Sequence, residues 1–105
     1  MISENSYFDG GVKSLGFAQK STDSPVTTDS PVITDSSVGV MAPGQYTFGT
    51  VAAERMTVVK GTLTIKRLSD LEWHTYQSGQ AFEVEAESSF DVKVDVATAY
   101  LCEYL

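Results

Sequence analysis

Two short stretches of this chain carry side chains suited to holding an anion and working on a polar substrate. In Gly10-Gly11-Val12-Lys13-Ser14, an ammonium and a hydroxyl follow two glycines. Glycine lets a backbone approach a ligand closely, and a lysine with a neighbouring hydroxyl suits an oxyanion. Lys13 and Ser14 are therefore candidate anion ligands, although a solvated strand lysine accounts for Lys13 equally well. Glu54-Arg55 opens an apolar, β-branched stretch. Neighbours on a strand point to opposite faces, so only one of these charges enters an interior, and spacing leaves open which. Tyr7, Phe8, Phe17, Tyr46, Phe48, Tyr100 and Tyr104 offer rings for stacking on a planar ligand, but aromatic residues at strand spacing more often build a core. His74 is the single histidine, without imidazole partners for a metal site or a triad, and it reads as a surface residue on a hairpin strand opposite Trp73. Cys102, in the alternating run Tyr100-Leu101-Cys102-Glu103-Tyr104, reads as a buried inert thiol, because no local base or cation would lower its pKa.

The bulk numbers bound what such residues can serve. A chain of 105 residues suffices for a single domain, 1–105, with a modest core, and 42% hydrophobic content is ordinary for a globular protein. The formal charge of −7 argues against nucleic acid polymers and acidic membranes as partners. A small anion in a local pocket remains compatible with it. The apolar runs are too short for a membrane helix, and the opening Met-Ile-Ser-Glu-Asn-Ser lacks the basic and apolar regions of a signal peptide. A single cysteine forms no internal disulfide and suits a reducing compartment, so a cytoplasmic location is expected.

The elements that must position these residues are strands. Phe90 to Val96 alternates apolar and charged residues throughout, and Ala81 to Glu85 does so more briefly. Thr62 to Lys66 sets Leu63 and Ile65 on one face, while Met56 to Val59 and Val38 to Met41 are apolar and β-branched. Turn signals at Pro43-Gly44, Lys60-Gly61, Leu68-Ser69-Asp70 and Ser78-Gly79 separate them. One segment differs. Ser21-Thr22-Asp23-Ser24-Pro25-Val26, Thr27 to Val32 and Ile33 to Val38 are three copies of one hexamer. Pro, Ser and Asp in short copies fit a duplicated surface loop over about 21–36, with Val38 returning the chain to the sheet.

Between Gly44 and Phe90 the spacing resembles the two cupin motifs. Glu54 and Gly61 stand where the first motif has its Glu and Gly. Its His-x-His slots hold Phe48 and Thr50, or Thr47 and Gly49, and the Pro, Gly and His slots of the second motif hold Glu85, Glu87 and Phe90. The resemblance implies an all-β fold, a single cupin-like antiparallel β-barrel of jelly-roll type. The replaced histidines argue against a metal-dependent dioxygenase or isomerase.

A wider set of motifs is more specific. Asn5-x-Tyr7-Phe8-x-Gly10-x-Val12-Lys13-Ser14-x-Gly16-Phe17, Ser37 to Met41, Gly44-x-Tyr46-Thr47-Phe48, Glu54-x-Met56-Thr57-Val58-x-x-Gly61 and Tyr100-Leu101-Cys102-x-Tyr104-Leu105 together resemble the small bacterial pyrimidine/purine nucleoside phosphorylases. The likeness covers nearly the whole chain outside the hexamer repeat. It implies phosphorolysis of purine and pyrimidine ribonucleosides to the free base and α-D-ribose 1-phosphate, with broad base tolerance. It also implies inorganic phosphate as co-substrate with no cofactor or metal, and a homodimer. Cleaving an N-glycosidic bond builds positive charge on the sugar, so phosphate must sit near the anomeric carbon. On that chemistry Lys13 and Ser14 are assigned to phosphate, and Glu54 to the ribose hydroxyls. Tyr46 and Thr57 are assigned to the pocket wall, and Phe48 or Tyr100 to stacking on the base. The competing reading is a non-catalytic cupin-like module that binds a small metabolite or dimerises.

Overall fold

A computed structural model describes residues 2–20 and 33–105. Its ten strands are β1 (Ser3–Tyr7), β2 (Val12–Lys20), β3 (Ile33–Met41), β4 (Gly44–Thr50), β5 (Glu54–Lys60), β6 (Thr62–Arg67), β7 (His74–Gln77), β8 (Ala81–Val84), β9 (Ser88–Val94) and β10 (Thr98–Tyr104). One 3-10 turn, Phe8–Gly10, joins β1 to β2. The strands form two antiparallel sheets, a six-stranded one in the order β1-β2-β3-β10-β5-β8 and a four-stranded one in the order β4-β9-β6-β7. The expected all-β, cupin-like fold is present as a sandwich of these sheets, which do not close into one hydrogen-bonded barrel.

Period-two alternation fixes the core. Phe90, Val92 and Val94 of β9 are buried while Lys93 faces outward, and Leu63 and Ile65 of β6 have no exposed surface. Met56, Val58, Phe82, Val84, Tyr100 and Cys102 face them from the six-stranded sheet and belong to the same core. Thr98 is fully buried; its single hydroxyl proton has the carbonyls of Val96 (2.8 Å) and Thr62 (3.0 Å) as alternative acceptors, and its oxygen accepts from the Thr62 N–H, so no polar atom is stranded there.

The first two hexamers, residues 21–32, and with them the expected surface loop, lie outside the described residues. The third copy is not loop: β3 begins at Ile33 rather than near Val38. This copy alone lacks the proline. Ser37 stands where the others have Pro25 and Pro31, and it pairs with Gly16 on one side and Cys102 on the other. A proline in such a central position would remove a ladder hydrogen bond.

Candidate functional site

Cross-strand register brings chemically capable side chains into line on the inner face of the six-stranded sheet. Asn5, Ser14, Gly39, Tyr100 and Val58 form one row across it. Ser3, Gly16, Ser37, Cys102, Met56 and Phe82 form the next. Glu54 pairs with Tyr104 and Val84 beyond them. The rows are polar toward β1 and β2, where Ser3, Asn5, Ser14 and Ser37 border an open trough of about 300 Å³. They continue inward to a cavity of about 150 Å³ bounded by Glu54, Cys102 and Tyr100 on one sheet and by Phe48 and Phe90 on the other. Trough and cavity share Tyr7, Ser14, Ser37 and Tyr104, so they form one depression with a hydroxyl-rich mouth and an aromatic wall.

Glu54, rather than Arg55, faces this cavity. Arg55 lies on the outer face, 3.4 Å from the Glu83 carboxylate. Burial pushes the Glu54 carboxyl above its ordinary value, and the hydrogen bond it accepts from the Cys102 thiol, at 3.4 Å, pulls the other way. Burial, with Glu54 beside it, pushes the Cys102 thiol up to about 12, so the sulfur stays protonated as a donor. Burial also raises Tyr100 and Tyr104, against opposing hydrogen bonds from Ser14 and Ser37 respectively. The cavity thus sets hydroxyl and thiol donors around one carboxyl, Glu54, while a second carboxyl, Asp35, borders the trough.

Gly39 creates the room for Tyr100. A Cβ at this position would lie 2.5 Å from the Tyr100 hydroxyl oxygen and 2.8 Å from the backbone oxygen of Lys13. The tyrosine therefore lies across the glycine toward Ser14. On the opposite wall Phe48 and Phe90 are direct cross-strand partners whose rings stack with centroids 5.5 Å apart. Phe8 meets Phe48 edge-on at 5.4 Å and Tyr46 at 5.0 Å. Phe8 and Asp9 both adopt left-handed backbone (φ 53° and 55°), a strained turn that holds this ring against the aromatic cluster.

Of the residues singled out from sequence, the fold brings Ser14, Glu54, Phe48 and Tyr100 to the cavity. It does not bring Lys13, Thr57 or Tyr46 there. Lys13 and Thr57 alternate with Ser14 and Met56 and so point to the outer face, where Lys13 lies with Leu15, Val40 and Val59. Tyr46 is buried, and its hydroxyl donates to the Ala42 carbonyl at 2.6 Å, bracing the β3–β4 connection. His74 sits on the distant β6–β7 hairpin, 3.9 Å from Asp70. Ser37 and Tyr104 were not singled out as polar ligands by sequence reasoning; the signal that could have found them is their place in register beside Cys102 and Glu54. A cupin metal does not fit this site. Its ligand positions hold the Phe48–Phe90 stack, and among the described residues no three His, Cys, Asp or Glu side chains converge.

The comparisons with known proteins agree with this architecture. The family model described as pyrimidine/purine nucleoside phosphorylase matches residues 2–104. A pyrimidine/purine nucleoside phosphorylase of Vibrio vulnificus is 65% identical over 105 residues, covering 100% of both chains. A crystal structure of a Vibrio parahaemolyticus protein of unknown function is 58% identical, with a TM-score of 0.86 over 100% of this chain and 99% of that one. A cupin superfamily protein of Desulfitobacterium hafniense is only 11% identical and shares the fold alone, with a TM-score of 0.59 over 86% of this chain and 76% of that one. The chain belongs to the pyrimidine/purine nucleoside phosphorylase family.

Proposed function

We propose that the depression between the sheets carries out phosphorolysis of purine and pyrimidine ribonucleosides to free base and α-D-ribose 1-phosphate, with phosphate as co-substrate and neither metal nor cofactor. The observation that carries this reading is the division of one cavity into a hydroxyl- and carboxyl-bearing side and an aromatic side. In the reaction a phosphate oxygen bonds to the anomeric carbon and the C1′–N bond breaks. Its electron pair goes to the base, which takes up the proton that hydrogen phosphate brings. Glu54 accepts from the ribose hydroxyls and fixes the sugar, while Ser14 and Tyr100 donate to phosphate. Phe48 offers a ring face to the base; stacking is tolerant of base identity because every base has a π-face, and this supports broad specificity.

Two further parts of the reading concern context. Leu15, Val38, Val40 and Val59 are exposed together on the outer face of β2, β3 and β5, between Glu4 and Lys13. An apolar patch with a charged rim suits a second copy of the chain, so the protein works as a homodimer. The free, buried cysteine supports work in the cytoplasm, and among the described residues no helix is long and apolar enough to cross a membrane. Chromatography of uridine and adenosine incubated with the protein, with and without phosphate, tests the activity. Base and ribose 1-phosphate are expected only with phosphate; free ribose would indicate hydrolysis, and no product from several nucleosides would refute the reading.

A further inference from the structure

A phosphate dianion needs compensating charge, yet among the described residues no Lys, Arg or His lines the trough or the cavity. Lys13 and Arg55 occupy the outer face of the same sheet. Arg67 is committed to Asp70 at 2.9 Å, and Lys93 lies over the Trp73 ring at 4.0 Å. What the depression does offer is hydroxyls: Ser14, Ser37, Tyr7, Tyr100 and Tyr104 all line it. It also offers two carboxyls, Asp35 on the trough wall and Glu54 in the cavity itself; Glu54, as a carboxylate, would repel the anion at short range in a partly desolvated site.

The surroundings of Glu54 narrow how that conflict resolves. From β10 it faces Cys102 and Tyr104, and its cross-strand neighbour on β8 is the apolar Val84. β4 and β9 present Phe48, Gly49 and Phe90 to the cavity, without a titratable group among them. Arg55, beside it in sequence, is turned away to Glu83. Among the described residues no cation therefore holds Glu54 ionised, and the thiol beside it is an uncharged donor. Burial already favours the neutral acid, and an arriving anion favours it further.

We propose that phosphate binds among the cavity hydroxyls with Glu54 in its neutral acid form, so that anion binding takes up one proton. The acid O–H donates to a phosphate oxygen while its carbonyl oxygen still accepts from ribose, so one residue bridges the two substrates. This rests on the nucleoside phosphorylase reading but makes a separate claim, about charge balance at the phosphate subsite.

Sulfate is the probe, because its charge stays fixed over the working range whereas phosphate itself titrates near neutrality. Calorimetric titration of the full-length protein with sulfate, in two buffers of different protonation enthalpy, counts protons taken up. The expected count approaches one per sulfate above the pH at which free Glu54 ionises, and Kd there rises toward tenfold per pH unit. In Glu54→Gln the count falls to zero and Kd no longer depends on pH. Ser37→Ala weakens sulfate binding but keeps the proton count. A Kd independent of pH in the native protein, the same slope in Glu54→Gln, or no sulfate binding at low pH overturns the proposal. Should Glu54→Gln fail to fold, the native proton count decides alone. Phosphate-dependent release of base is assayed separately. An active enzyme with no proton uptake refutes this inference only, whereas a protein without turnover refutes the functional reading.

Discussion

Gly39 is the position where the fold and the site constrain each other most tightly, and Gly39→Ala puts that constraint to a measurement. The added Cβ would meet the Tyr100 hydroxyl oxygen at 2.5 Å, its ring carbon at 2.6 Å and the Lys13 backbone oxygen at 2.8 Å. Ordinary contact lies near 3.5–4 Å, so something must move by about 1 Å. The Lys13 carbonyl belongs to the β2–β3 ladder and cannot swing away, because Lys13 and Val40 are register partners. The displacement therefore falls on the Tyr100 ring, which is only 6% exposed and packed in the core cluster. Overpacking of this kind costs about 1–3 kcal/mol; with a fixed carbonyl on one side and a buried ring on the other, the upper part of that range, about 2–3 kcal/mol, is expected. For a chain of this length that corresponds to a fall in Tm of roughly 8–20 °C.

Thermal melts of four proteins test the cause as well as the size: the parent, Gly39→Ala, Tyr100→Ala and the double variant. Removing the ring leaves only the Lys13 oxygen in the way, so the alanine should cost less in the Tyr100→Ala background. The coupling between the sites should be about 1 kcal/mol or more. A Gly39→Ala protein melting within about 2 °C of the parent, or losing the same stability in both backgrounds, would show that Tyr100 does not rest on this glycine.

Lys13→Ala should leave the KM for phosphate within about twofold of the parent, because the ammonium is on the outer face; a lost charge-assisted contact of about 1.5–3 kcal/mol would raise it roughly tenfold or more. Phe48→Leu should raise the KM for uridine and for adenosine alike by roughly fivefold or more, from a stacking contribution of about 1–3 kcal/mol, with the KM for phosphate unchanged; an effect on one base class alone would refute sequence-tolerant stacking. Burial raises Glu54 from 4.5, so its neutral form stabilises the fold: that contribution is complete below the unfolded value and is lost as pH rises through the folded one. Glu54→Gln should therefore gain Tm relative to the parent as pH rises from acid to neutral, and a constant difference across pH would contradict this. Val40→Glu places a charge at the centre of the outer apolar patch, where Val40 is 51% exposed, and should convert the proposed homodimer to monomer by light scattering without unfolding it.

Which strands were legible in the sequence follows from what they face. β9 reads clearly because its inner residues, Phe90, Val92 and Val94, meet the core while Lys93 meets solvent. β2 does not, because its inner residues past Val12 are Ser14 and Gly16, which line a depression, while Leu15 points out with 44% exposure. The apolar-in, polar-out pattern is inverted there, and a reading that assumes a packed interior misses it. Glu54 and Phe48 were named from the family resemblance and the chemistry it implies; strand spacing alone left open whether Glu54 or Arg55 enters the interior, and whether the His-x-His slots fall on Phe48 and Thr50 or on Thr47 and Gly49. Ser37 was obscured for a different reason: its hexamer repeats a loop-like composition, and only the missing proline marks it as strand.

The motif pairs also explain why Lys13 and Ser14, or Thr57 and Met56, part company. A motif written along one strand specifies two surfaces at once, since each successive residue crosses to the other face. In β2, Ser14 enters the cavity while Lys13 and Leu15 border the outer patch; in β10, Cys102 reaches Glu54 while Leu101 lies on the far side. A two-residue step along these strands therefore stays on the cavity face, and a one-residue step leaves it. The same sheet that holds the proposed phosphate and ribose ligands inward presents Leu15, Val38, Val40 and Val59 outward. If that outer face packs on a second copy, docking would stiffen the sheet from behind, and the positions of Ser14, Ser37, Tyr100 and Cys102 would depend on assembly. Val40→Glu then carries a second expectation: the monomer it produces should bind phosphate more weakly, although Val40 itself never meets the substrate.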